Sequence, residues 1–291
     1  MKIRAHETFC IRKGWIHKGV KNIAVYPRLF TDKSINPCDI LGIGTNMVKS
    51  LRYWMSVVGV MEEVNEGNQK IQRLTDFGKI IDTYDKYYEE DGTLWALHYK
   101  LSTNKEQATA WYWYFNVFKM SSFDKELFVK ELGEYLHTEF SYDCSENMLG
   151  DEFDCIIKTY CVKDKNVSPE NTTVCPLTEL RLVTQTVGKD FKKSVPDKDS
   201  LHPLIILGAI CDSSDSDEIL IADLMNKEGS IAKLFNLDRA TCFYYLEQLR
   251  QRGYLAISRT AGLDVVKVLN RTSFNEALSL YYIEISGESI K

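Results

Sequence analysis

The sequence predicts a mainly α-helical chain with small β wings, in which winged helix-turn-helix modules at both ends are joined by a helical middle. Three observations predict it. Residues 40–61 pass from a glycine turn into an amphipathic helix, and two strand-like segments follow. The same succession restarts after Leu201 and closes on a second hairpin. Between them, apolar residues recur at helical spacing behind N-capping side chains. The expected divisions are 1–80, 81–195 and 196–291, and 291 residues with 44% hydrophobic content can build more than one core.

Residues 1–20 mix apolar anchors with charge, and a first helix is expected from about Trp15 through Val20. Pro27 and Pro37 bound a loop, after which Asp39 can cap a short helix, CDILG. Gly42 and Gly44 then precede the helix that organises this end. On a helical wheel, Met47, Val48, Leu51, Trp54, Met55 and Val58 share one arc, and Thr45, Asn46, Lys49, Arg52, Tyr53 and Ser56 take the other. Val60–Val64 and Lys70–Leu74 alternate as strands around the turn NEGN.

Thr75 and Asp76 open a further helix, the acidic cluster of residues 82–91 follows, and another helix starts at Gly92/Thr93. Residues 108–118 are densely aromatic and 124–139 amphipathic, while 151–162 fits helix or strand, the three-residue spacing favouring helix. Residues 163–200 are lysine-rich and proline-punctuated, with a short helix near PLTELRLV and a boundary between about 188 and 200. Helices over 203–211 and 219–226 come next, then a long helix capped by Asp238 and ended by Gly253, then a wing hairpin.

Charge narrows the function. Residues 1–60 hold ten Lys and Arg against Glu7, Asp32 and Asp39, a local net of +7; the rest hold 26 against 38, a net of −12. A cationic face on an acidic body is the footprint of a localised polyanion site, and uneven surface charge without a ligand is the alternative. The C-terminal module, with six Lys/Arg against eight Asp/Glu over 201–262, reads as a packing, dimerisation or partner surface first. Eight scattered cysteines without a CxxC or a partnering histidine pair argue against structural zinc. No apolar run nears the roughly 20 residues of a membrane span, and residues 1–20 are too charged for a secretory signal, so a cytoplasmic protein is expected. Walker, GxGxxG, GxSxG and HExxH motifs are absent, which leaves nucleotide hydrolysis and the common hydrolases unsupported.

The polar arc, with Thr45, Asn46, Lys49, Arg52 and Tyr53, offers the donors that read phosphates and base edges, and Arg4, Arg12, Lys13 and Lys18 would sit on phosphates. His6 and Glu7 are the candidate acid–base pair, placed where a phosphate would come near. Asp85, Glu89, Glu90 and Asp91 could ligate Mg or Mn, since one helical turn separates Asp85 from Glu89; a solvated acidic turn is the plainer reading. Trp111, Tyr112, Trp113, Tyr114 and Phe115 could stack unpaired bases, but alternate rings of a core are the simpler expectation, as is a hydrogen-bonded core role for His98.

The succession HETF (6–9), Arg12 with Gly14–Trp15, LGIGTNMVKSLRYW (41–54), LTDFG (74–78), YDKYYEEDGTLWALHY (84–99) and TAWYWYFN (109–116) resembles the SspB-like family of bacterial DNA phosphorothioation systems, long described as of unknown function. The likeness continues through FDCIIKTYCV (153–162) and CPLTELRLV (175–183). It departs from the family pattern at Lys86, where a proline usually follows the aspartate. The resemblance implies an antiphage defence operon that replaces a phosphate oxygen with sulfur. Its implied companions are a cysteine desulfurase, an ATP pyrophosphatase and an ATPase. It also implies a DNA-binding component that nicks one strand, as a metal-dependent endonuclease, or presents it for sulfur insertion. A non-catalytic DNA-binding adaptor or regulator of the same operon is the rival reading, and an interaction protein for an acidic partner is a third. A homodimer is left open.

Overall fold

The computed structural model describes residues 1–162, 174–186, 188–260 and 263–287. Part of the lysine-rich passage and the tip of the second hairpin therefore lie outside the described residues. The chain is mainly helical with small antiparallel sheets.

The first element is α1 (Trp15–Val25), one turn longer than its apolar spacing suggested, with Trp15, Ile16, Val20 and Ile23 buried. Next come α2 (Pro37–Leu41) and α3 (Thr45–Val57). The turn between them needs glycine, because Gly42 ends α2 in the left-handed region at φ 61°. Strands β1 (Met61–Glu66) and β2 (Gln69–Leu74) pair antiparallel from Met61 opposite Leu74 to Glu66 opposite Gln69.

Thr75 caps α4 (Asp76–Tyr84) by accepting from the Gly78 N–H at 2.9 Å. A Cβ on Gly78 would stand 2.2 Å from the Val60 carbonyl oxygen, which explains the glycine of LTDFG. The centre is α5 (Asp91–Thr103) and α6 (Thr109–Asn116), flanked by α7 (Lys125–Phe140) and α8 (Glu146–Tyr160). The ambiguous 151–162 segment is thus helix, started earlier by the Ser145 cap. Strands β3 (Ser122–Phe123), β4 (Val183–Gln185) and β5 (Phe191–Lys193) form a small sheet in the order β3-β5-β4, after a 3-10 turn at Pro176–Leu180.

Of the 111–115 aromatics, all but Tyr112 are buried, so this block is core. His98 is a core histidine as well. Its Nε2 donates to the Leu234 carbonyl at 2.7 Å, so its Nδ1 accepts from the Tyr160 hydroxyl at 2.8 Å. Burial pushes its pKa down to about 4, which keeps the ring neutral at pH 7.

The C-terminal end contains α9 (Pro203–Ser213), β6 (Glu218–Leu220), α10 (Ile221–Asn226), α11 (Ile231–Leu234), α12 (Arg239–Gln251), β7 (Leu255–Thr260) and β8 (Leu263–Val268). The expected helix over 219–226 is corrected: residues 218–220 pair with β8 as an edge strand, in a sheet of order β6-β8-β7. The last helix, α13 (Phe274–Ser286), which the sequence reading passed over, packs on α9, α4 and α5. One contiguous apolar cluster runs from Ile11 through to Tyr282. Among the described residues no helix is long and apolar enough to cross a membrane.

Candidate nucleic-acid interface

Helix α3 buries Val48, Leu51, Trp54 and Met55, as its periodicity requires, together with Ser50 and Val57. Its outer face divides in two. Thr45, Asn46 and Lys49 are exposed, whereas Arg52, Tyr53 and Ser56 are half-buried on a cleft of about 770 Å³. That cleft lies between α3, the β1–β2 hairpin, residues 2–5 and Gln107. Lys2 and Lys70, which the sequence reading did not single out, also line it. Lys2 belongs to the cationic first 20 residues, and Lys70 opens the expected second wing strand, so charge was a signal for the first and the wing for the second.

Arg52 is not free to reach outward. Its guanidinium forks onto Glu63 of β1, Nε to Oε1 at 2.5 Å and Nη2 to Oε2 at 2.8 Å. Lys70 Nζ stands 3.1 Å from the same carboxylate. Burial pushes the Glu63 pKa up, but hydrogen bonds from Arg52 and Lys70 outweigh it and hold the carboxyl below its ordinary value. Arg52 therefore fastens the hairpin to α3. Tyr53 is similarly engaged, donating its hydroxyl to the Gln107 carbonyl at 3.0 Å, and burial first, then Glu152, raises its pKa well above the usual phenol range.

The start of α3 is chemically open. Its N-cap is Gly44, no side chain caps it, and its first turn holds no acid. The unpaired N–H groups there carry partial positive charge, which favours an anion. Lys49, whose Nζ is 3.5 Å from Asn46 Oδ1 and 3.7 Å from Glu7 Oε1, adds an exposed cation beside them. The remaining early cations are dispersed over other partners. Arg4 pairs with Asp151 at 2.5 Å, Arg12 lies over the Phe9 and Trp15 rings, Lys13 is 3.8 Å from Glu89, and Lys18 donates to the Leu41 carbonyl.

The HETF segment is held in an unusual backbone shape. Arg4, Glu7 and Thr8 all adopt positive φ, at 59°, 51° and 67°, a region that costs non-glycine residues energy unless the surroundings impose it. What imposes it is Glu152 of α8. One of its carboxylate oxygens accepts from the Arg4 N–H, and the other faces His6 Nε2 at 3.2 Å with both side chains buried. His6 Nδ1 accepts the Thr8 N–H at 3.1 Å, so the ring proton sits on Nε2, toward Glu152. The ring stacks on Trp54 and meets the edge of Trp111. His6 and Glu7 are thus turned apart, one inward to Glu152 and the other outward to Lys49. Nothing near His6 in the sequence marks Glu152 as its partner.

The acidic turn is organised around Asp85. This buried carboxylate accepts from the Glu89 and Glu90 N–H groups, each at 3.0 Å, and from the Thr93 hydroxyl at 2.6 Å. Thr93 and Tyr282 hydroxyls meet at 2.5 Å, and the Gly92 N–H donates to the Tyr281 hydroxyl at 3.1 Å. A Cβ on Gly92 would lie 2.2 Å from the Tyr281 ring. Gly92 and Thr93 of the EEDGT motif are thereby accounted for by docking onto α13. Burial, followed by neighbouring acids, raises the pKa values of Glu90 and Asp91. With Asp85 engaged by three donors and Glu89 near Lys13, the four carboxylates are not gathered around one point. Among the described residues no three His, Cys, Asp or Glu side chains stand together as a metal site. The turn does meet the start of α1, through Lys13–Glu89 and through the His17 and Tyr87 rings, 4.9 Å apart.

Fold and cleft define a helix-rich protein in which α3 and the β1–β2 hairpin border a cleft lined by Lys2, Lys49, Arg52 and Lys70 together with Glu62 and Glu63. Over residues 3–282 the chain matches the family described as protein of unknown function DUF4007, and it belongs to that family. It is similar to the SspB crystal structure, with 25% identity and a TM-score of 0.83, over 98% of this chain and 87% of that one. A magnesium ion-bound SspB crystal structure, 24% identical with the same coverage and TM-score, shares the fold. No curated protein matches the sequence.

Proposed function

We propose that this protein is a DNA-binding component of a bacterial phosphorothioation antiphage system, which grips duplex DNA and presents one strand for sulfur insertion. The reading combines the SspB-like family with one observation: the open, uncapped start of α3 displays Thr45, Asn46 and Lys49 beside a cleft that adds Lys2 and Lys70. In this reading residues 1–80 act as a winged helix, with α3 along the groove and the β1–β2 hairpin as its wing. Arg52 and Tyr53 hold the reading surface in shape, and Arg4, Arg12, Lys13 and Lys18 flank it toward the phosphates. Residues 81–195 form the helical middle. Residues 196–291, a second module of winged-helix order, serve as the surface for the cysteine desulfurase, ATP pyrophosphatase and ATPase of the system or for a second copy, in the cytoplasm.

Equilibrium binding of a short labelled duplex tests this. The Lys49→Ala/Lys70→Ala variant is expected to bind about tenfold or more weakly at low salt, whatever the sequence, because phosphate contacts carry no base preference. Equal affinity for variant and parent would remove α3 and the hairpin from the interface.

Strand nicking by this chain is the second reading, favoured by the meeting of the residue 6–18 segment with the acidic turn. It assigns His6 and Glu7 to acid–base roles and Asp85, Glu89, Glu90 and Asp91 to a Mg or Mn ion, and it requires Glu89 to leave Lys13. Supercoiled plasmid incubated with Mg²⁺, Mn²⁺ or EDTA discriminates: metal-dependent open-circular product supports the nickase. Its absence with either ion leaves the adaptor or regulator.

A further inference from the structure

We propose that the surface where the start of α1 meets the Tyr84–Glu89 turn binds single-stranded DNA, stacking an unpaired base on Tyr87. The inference rests on the DNA-binding reading above and extends it to the strand that is presented.

Tyr88 sets the arrangement. It adopts φ 61° and turns its ring inward, 7% exposed, so the residues on either side are directed outward. Tyr87 is left 53% exposed and Tyr84 44% exposed, on the same turn. Neither ring is loose. His17 lies 4.9 Å from Tyr87, tilted by 48°, and Lys86 Nζ sits 5.0 Å from the Tyr87 centroid. Tyr84 stacks at 10° and 5.1 Å on Tyr282, which is buried and held by Thr93. Two partly exposed tyrosines thus stand beside Lys86, with Arg12 and Lys13 just ahead of α1.

Such a surface suits an unpaired nucleotide better than a duplex. Bases in a duplex are already stacked and cannot present a face to a tyrosine, whereas every unpaired base can. The dense aromatic block at 111–115 cannot serve, because it is core. Glu89 opposes Lys13 at 3.8 Å, and Asp82 in the last turn of α4 and Glu90 and Asp91 at the start of α5 flank the same turn. Those acids confine phosphates to the neighbourhood of Lys13 and Lys86, so the contact is short and dominated by stacking.

Fluorescence anisotropy with a labelled oligothymidylate, and in parallel with a hairpin duplex, tests the proposal on the full chain. Tyr87→Ala is expected to bind the single strand about tenfold more weakly, and Tyr87→Trp to bind it as well as the parent. Both should bind duplex as the parent does. Two phosphate contacts predict a slope of log K on log salt near about −1.4 for the single strand, lost in Lys13→Ala/Lys86→Ala. Parental single-strand affinity in Tyr87→Ala, or a strong preference for the matching RNA oligomer, overturns the proposal. Lys49→Ala/Lys70→Ala should lose duplex and keep single-strand binding. Unchanged duplex binding there defeats the interface on α3, while the Tyr87 result is read separately on the single strand.

Discussion

Replacing Asp85 by alanine is expected to lower the unfolding free energy by about 3 kcal/mol, the cost of leaving one buried and two partly buried donors without an acceptor. The donors are the N–H groups of Glu89 and Glu90 and the Thr93 hydroxyl. Thr93 links onward to Tyr282, so the loss loosens the seat of α13 as well as the turn. Asp85→Asn keeps one carbonyl acceptor and should cost less, about 1–2 kcal/mol. Urea unfolding measures both. A midpoint for Asp85→Ala equal to that of the parent would mean that the aspartate does not organise the turn and is available for another role, metal binding included.

Glu152→Ala is expected to be comparably damaging, at about 1–3 kcal/mol, the range for leaving buried donors without their acceptor. It strands the inward-facing His6 Nε2–H among Trp54 and Trp111 and takes the acceptor from the Arg4 N–H. It also releases the left-handed backbone at Arg4, Glu7 and Thr8, each of which costs about 1 kcal/mol to hold. Glu7 would then leave Lys49, which frees that cation, so duplex binding should hold or strengthen. Glu152→Gln retains an acceptor for Arg4 and should fall between the two. Thermal melting of the three proteins orders them; coincident melts would show that the HETF segment is held by something other than Glu152.

The sequence made the repeating parts of the fold legible and left the long-range pairings hidden. The apolar arc of α3 follows from helical spacing, the hairpin from alternation around NEGN, and the caps Thr75 and Asp238 from side-chain chemistry. Residues 219 and 220 read as the start of a helix because their pairing partners, residues 265 and 266, lie far along the chain. The site was less legible for the same reason. Wheel geometry puts Arg52 on the polar arc, but only the hairpin register brings Glu63 against it. Adjacency suggested His6 and Glu7 as a pair, whereas positive φ at Glu7 and Thr8 turns the two side chains apart. The exposed aromatic surface came from Tyr84 and Tyr87 in a loop, not from the richest aromatic run, because dense aromatics are what a core collects.

The salt dependence of duplex binding tests the central claim most directly. If Lys49 and Lys70 lie on phosphates, log K for the parent falls linearly with log salt between about 50 and 200 mM, and the Lys49→Ala/Lys70→Ala variant has a slope shallower by about 1.8. A parent that binds no duplex at the low end of that range, or a variant with the parental slope, would contradict the assignment of the α3 cleft to DNA.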